Sequence, residues 1–226
     1  MGLYSRDDKF GPFKTALAQD LILHPTHPQP RLIRVAADVL RAGGVIAYPT
    51  DSSYALGCRL GNADAVRRIR TLRGVDARHH LTLVCRDLAD VGHFARLDNW
   101  QFRIVRLGSP GSFTFLLPAT REVPRRLQHP NRSTIGVRVP DHPVVRALLN
   151  ELGEPILSST LIPSGMSDPL NDPAEIRDRY RHALDAVIDA GPSTSLPTTV
   201  IDLAGSAPVI VRRGRGDPAR LGIEAP

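Results

Sequence analysis

Gly43-Gly44-Val45-Ile46-Ala47-Tyr48-Pro49-Thr50-Asp51-Ser52-Ser53-Tyr54-Ala55-Leu56-Gly57 joins an apolar run to a polar cluster. The run suits a buried strand. The residue before a proline is biased to extended backbone, so the strand should run to Tyr48 and then turn. Hydroxyl and carboxylate side chains follow at its C-terminal end, where open α/β sheets bind ligands. An ordinary strand-to-turn transition built on Asx and ST turns would use the same residues.

The pattern continues on both sides. Upstream, Leu32, Ile33, Val35, Ala36, Val39 and Leu40 sit at helical spacing over 31–42, with Gly43-Gly44 as the stop. Downstream, Asn62 is a suitable N-cap for a helix over 63–73 that turns Ala63, Val66, Ile69 and Leu72 inward. Its other face is arginine. A strand at 81–85, a helix over 99–107 and strands at 113–117 and 134–139 come next. Pro143 opens a helix that ends at Gly153, and strand 155–159 runs into a Ser-, Pro- and Gly-rich loop. A helix over 173–184 and strands at 185–188, 198–203 and 208–212 complete the series. Interspersed strands and helices predict one α/β domain. Residues 1–28, polar and ending among prolines, read as an N-terminal extension outside the core. The domain itself is expected over 29–216, with 217–226 as a C-terminal tail.

Composition narrows the function classes. A chain of 226 residues, 42% of them hydrophobic, suits one globular domain. No stretch approaches a membrane span, and the N-terminus does not read as a secretory signal. Cys58 and Cys85 form no disulfide framework and no metal spacing, which fits a reducing cytoplasm. Formal net charge is +6, carried almost wholly by arginine, the side chain suited to planar phosphate and carboxylate groups. Arg67, Arg68, Arg70 and Arg73 form one cluster, and Arg125 and Arg126 another. They permit a nucleotide or nucleic-acid partner, although such runs are also common on solvated faces. There is no Walker A loop, no nucleophile elbow and no His-Glu-x-x-His, so any nucleotide is held outside those designs.

Five segments together resemble one family. They are Pro49 to Gly57, Ser112-Phe113-Thr114-Phe115-Leu116-Leu117-Pro118, Thr134 to Pro143, Glu154-Pro155-Ile156-Leu157-Ser158-Ser159-Thr160 and Thr199-Val200-Ile201-Asp202-Leu203. In this order they resemble the YrdC/YciO family of threonylcarbamoyl-adenylate synthase-like proteins, and most closely its YciO branch. The resemblance covers about residues 30–216. It implies the YrdC-like fold, a single-domain twisted mixed open sheet with flanking helices and a concave basic face. It also implies a reaction that joins L-threonine, bicarbonate and ATP into threonylcarbamoyl-adenylate with release of pyrophosphate, a product that feeds tRNA modification. The branch point implies an alternative, a protein that binds double-stranded or structured RNA without synthase activity.

The resemblance also assigns residues. Ser52, Tyr54, Arg138 and Ser158 match positions expected to bind L-threonine, with the Arg138 guanidinium suited to a carboxylate. Arg73, His79, Thr134, Thr160 and Arg212 match the nucleotide side. Thr134 and Arg138 lie four apart on one strand and so share a face. Charge clustering, and not the resemblance, makes Arg67, Arg68, Arg70, Arg125 and Arg126 the expected RNA contacts. No tightly bound cofactor or metal is expected, only Mg²⁺ accompanying ATP.

The nucleotide motifs depart from the family pattern. Its Lys-x-Arg aligns with Arg73-Gly74-Val75, its Asn-Pro-Leu with His79-His80-Leu81, and its Ser-x-Asn with Thr160-Leu161-Ile162. Val84 stands where the family has a strand histidine. Weaker ATP binding is expected unless Arg70 or Arg78 compensates. His79 and His80 suit phosphate contact or proton transfer near neutral pH, and equally an exposed basic loop.

Overall fold

A computed structural model describes residues 17–223. Ten strands form one sheet: β1 (Gln19–Ile22), β2 (Ile46–Tyr48), β3 (Ala55–Arg59), β4 (Thr82–Val84), β5 (Phe113–Pro118), β6 (Thr134–Arg138), β7 (Ile156–Thr160), β8 (Ala186–Asp189), β9 (Thr199–Asp202) and β10 (Val209–Arg212). Their order across the sheet is β1-β8-β2-β3-β7-β4-β6-β5-β9-β10. The sheet is mixed. β1/β8, β8/β2, β4/β6 and β5/β9 run parallel, and the other neighbours antiparallel. Six α-helices flank it: α1 (Pro30–Arg41), α2 (Ala63–Arg73), α3 (Leu88–Phe94), α4 (Asn99–Leu107), α5 (Pro143–Leu152) and α6 (Pro173–Tyr180).

Local signals explain the element ends. Pro30 and Pro143 open α1 and α5, where a missing N–H costs nothing. The Asn62 side chain accepts from Ala65 N at 3.0 Å to cap α2, and Gly74, at φ 64°, ends it.

Two cores divide the sheet. On one face α1 and α5 bury Ile33, Leu40, Val145 and Leu148 against Ile46, Tyr48, Ile156 and Ile188. On the other, Ile69, Phe115, Val137, Leu157 and Ile201 join the larger core. Alternation along β6 shows the division. Ile135 and Val137 face the larger core, while Thr134, Gly136 and Arg138 face the side on which α1 and α5 lie. Those two helices cover the β1-to-β7 half of that face. A concave surface remains over β4, β6, β5 and β9.

Three differences from the expected elements have physical causes. Residues 19–22, expected outside the core, pair in parallel with β8 and bury Leu21, with Leu23 just beyond. An edge strand needs few apolar residues, so its polar sequence concealed it. The rest of the expected extension, 1–16, lies outside the described residues. β3 was hidden because Gly57 interrupts a short run. The glycine is required, since a Cβ there would lie 2.8 Å from both the Tyr48 ring and Ile156. At the other end, 217–223 is no free tail. A 3₁₀ turn over Pro218–Leu221 places Leu221 and Ile223 in the larger core. Residues 224–226 lie outside the described residues. No described helix is long and apolar enough to cross a membrane.

Candidate functional site

The concave surface holds a cavity of about 240 Å³. The β2 strand leads into it as Pro49 predicts. Thr50 then organises the turn: its Oγ1 accepts from Ser52 N at 3.1 Å and Ser53 N at 3.3 Å, and donates to Ser53 O at 2.7 Å. This fixes the Ser52 hydroxyl 3.0 Å from Arg138 Nη1. Arg138 Nη2 donates to Asp51 Oδ1, and Asp51 Oδ2 accepts from Ser112 Oγ at 2.7 Å. The ion pair is buried, with side-chain exposures of 8% for Arg138 and 11% for Asp51. Arg138 Nε has no partner. That nitrogen is buried, so the donors open to a ligand are the Nη hydrogens not taken by Asp51 and Ser52.

The opposite wall is also basic. Arg73 donates from Nε to Ser159 Oγ at 3.1 Å and from Nη1 to the Ile162 carbonyl. Arg212 is aimed by the Thr198 carbonyl, which it meets at 3.1 Å from Nε and 2.9 Å from Nη2. Thr198 Oγ1 lies 2.8 Å from Thr114 Oγ1. Arg78, His79 and His80 complete this side. Four arginines thus line one cavity in which no carboxylate is a lining residue. Burial draws the Arg73 and Arg212 guanidinium pKa values down. Burial, followed by the charge of Arg73, brings His79 to about 4. Burial and His129 lower His80. Both imidazoles are therefore neutral at pH 7 and able to accept a hydrogen bond.

Most expected ligand positions meet here. Ser52, Arg138, Ser158 and Thr160 line the cavity together with Arg73, His79 and Arg212. Ser158 Oγ donates to Leu56 O at 3.0 Å and accepts from Tyr48 OH at 2.7 Å. Two expected residues are placed differently. Tyr54 points into the larger core, where its hydroxyl donates to Gly191 O at 2.9 Å. Thr134 shares the Arg138 face but lies beyond Gly136, outside the lining, and contacts His80 Nε2 at 3.1 Å. The same hydroxyl accepts from Ala190 N at 3.4 Å, so Tyr54→Phe is expected to cost about 1–2 kcal/mol in a urea melt and to leave ligand affinity unchanged. A weakened ligand response would place Tyr54 in the site.

Neither Val75 nor Ile162 is a lining residue, whereas Arg78 is. Sequence reasoning missed Tyr48, Thr114 and Thr198 as wall residues. Thr114 had a signal, a polar position alternating with Phe113 and Phe115.

Several of the expected RNA contacts are already engaged within the protein. Arg67 pairs with Asp64 on the exposed side of α2. Arg68 pairs with Asp185 at 2.8 Å and donates to Ala183 O at 2.9 Å. Arg70 has a buried Nε without a partner. Arg126 donates to Gly61 O, while Arg125 borders a separate surface groove. Among the described residues, no group of three or more His, Cys, Asp or Glu stands at metal-ligand spacing.

Comparison with known proteins bears on this site. The Sua5/YciO/YrdC family model, described as "Telomere recombination", matches residues 38–214. The uncharacterized protein YciO of Escherichia coli K12 is 46% identical over 201 residues, covering 89% of this chain and 98% of that protein. The crystal structure of E. coli YciO superposes with a TM-score of 0.88 at 45% identity, over 91% of this chain and all (100%) of the other. A threonylcarbamoyl-AMP synthase of Halorhodospira halophila is 35% identical over 165 residues, 73% of this chain and 85% of its own. Sua5 of P. abyssi, solved in complex with L-threonine, gives a TM-score of 0.80 at 25% identity, over 86% of this chain and 57% of that one.

Proposed function

Because this chain belongs to the Sua5/YciO/YrdC family, we propose that its cavity binds L-threonine through the carboxylate, beside ATP, and joins L-threonine, bicarbonate and ATP as threonylcarbamoyl-adenylate with loss of water and pyrophosphate. The observation that carries the reading is the convergence of Arg73, Arg78, Arg138 and Arg212 on a cavity without a lining carboxylate. Such a site fits a ligand with at least two anionic ends. A threonylcarbamoyl-AMP synthase among the relatives and a Sua5 solved with L-threonine supply the chemical identity.

The residues divide the work. Arg138 holds the amino-acid carboxylate with the donors left over from Asp51 and Ser52. Ser158 and Thr160 present hydroxyls beside it. Arg73, Arg78 and Arg212 meet the phosphates, and Mg²⁺ enters with ATP as part of the substrate. Neutral His79 lies among these cations and, with its pKa brought to about 4, is suited to hydrogen-bond the ligand and not to take its proton. ATP affinity is expected to be modest, since the second basic residue and the asparagine of the family motif are Val75 and Ile162. In this reading the product belongs to the route that modifies tRNA.

The test is pyrophosphate release from ATP with L-threonine and bicarbonate present together. The reading requires release that depends on all three. ATP turnover indifferent to L-threonine, or none in protein that binds neither substrate, would overturn it.

A further inference from the structure

A second depression lies outside the cavity, at the end of the β5–β6 hairpin. Its volume is about 800 Å³, and Arg96, Arg121, Arg125, Arg132, His129 and Ser133 are among its lining residues. No Asp or Glu lines it. Arg132 is paired with Asp202. Arg96, Arg121 and Arg125 are exposed and make no side-chain ion pair or hydrogen bond among the described residues. The nearby Glu122 reaches instead to His93, at 3.8 Å. Three unneutralised guanidinium groups around one concavity repel one another. They gain most from a ligand with several negative charges, and their planar forks fit phosphate oxygens.

Two further features point to a ligand. Ser133, at φ 50°, is the one non-glycine residue with positive φ among the described residues, and it forms part of the rim. Strain of this kind gathers at ligand sites. The groove is also joined to the cavity. The His129 ring stacks on His80, with centroids 4.5 Å apart and planes 18° apart, and His80 is a cavity wall. One face of the stack thus belongs to each depression.

We propose that this groove is a second anion site, which takes a chain of two or more phosphate groups, and that the His80–His129 stack joins it to the cavity. A ligand whose phosphate chain lies on Arg96, Arg121 and Arg125 then directs its terminal group past the imidazoles. A linear polyphosphate and the backbone of an oligoribonucleotide share this chemistry.

The experiment titrates the full chain with inorganic tripolyphosphate, and separately with a short single-stranded oligoribonucleotide. Calorimetry reads affinity, and NMR reads the imidazole signals. Arg121→Ala with Arg125→Ala removes two exposed side chains, and should weaken both ligands about tenfold or more. Arg67→Ala, outside the groove lining and already paired with Asp64, should leave both unchanged. His80 and His129 signals should move on binding in the parent. Tighter binding of the oligonucleotide than of tripolyphosphate, through the same arginines, names the backbone as the source; the reverse names free polyphosphate. Unchanged affinity in the double variant, equal loss in Arg67→Ala, or still imidazole signals would overturn the proposal. L-Threonine binding should survive the double variant, so failure of this groove is separable from failure of the cavity.

Discussion

Arg138→Ala is expected to abolish L-threonine binding and to destabilise the protein by about 3–5 kcal/mol. The two losses have different origins. Binding is lost because Arg138 supplies the cavity's carboxylate fork. Stability is lost because Asp51 is left charged and buried, with only Ser112 as a side-chain donor. The pair itself need not be strongly stabilising. Desolvation of both groups offsets most of their attraction, and breaking one side is the costly act. Adding Asp51→Asn to the alanine variant should therefore recover part of the stability and none of the binding. Arg138→Lys should hold the charge but lose the two-pronged contact, and bind weakly. Urea melts and calorimetry on the three variants separate these roles. Native stability with full affinity in Arg138→Ala would show that neither holds.

A second large effect is expected in the titration of His79. Its pKa should lie near 4, well below the ordinary 6.5. Burial is the first cause, and the charges of Arg73, His80, Arg212 and Arg70 add to it. The sign for stability follows by linkage. Between pH 6.5 and 4 the unfolded chain takes up this proton and the folded chain does not. His79 therefore lowers stability as pH falls through that window, and stability rises with pH across it. His79→Gln should flatten this slope in urea melts run from pH 7 to 4. Arg73→Ala should move the imidazole midpoint upward, because a neighbouring cation is gone. A midpoint near 6.5 in an NMR titration of the parent would mean that the ring faces open solvent, away from the arginines.

How much of this was legible in the sequence depends on the kind of signal. Pro49 after an apolar run, the alternation of 134–139, and Pro143 with Gly153 are local signals, and those elements stand where expected. β1 and the 217–223 segment were not legible, because their few apolar residues gain meaning only against β8 and the larger core. In the site, strand spacing put Thr134 and Arg138 on one face but said nothing of how far along the strand the cavity extends. Tyr54 shows the same limit. Its hydroxyl faces Gly191, a partner 137 residues away that no local pattern announces. Arg78, and not Val75, lines the cavity, a placement within the loop after α2 that no local pattern announces.

In the proposed site a carboxylate meets Arg138. The most direct measurement is a pair of calorimetric titrations, one with L-threonine and one with its methyl ester, which keeps the amine and hydroxyl but has no carboxylate. L-Threonine should bind, and the ester should bind at least tenfold more weakly, as the loss of a charge-assisted contact requires. Equal affinity for the two, or binding of neither, would contradict the assignment of Arg138 and with it the proposed function.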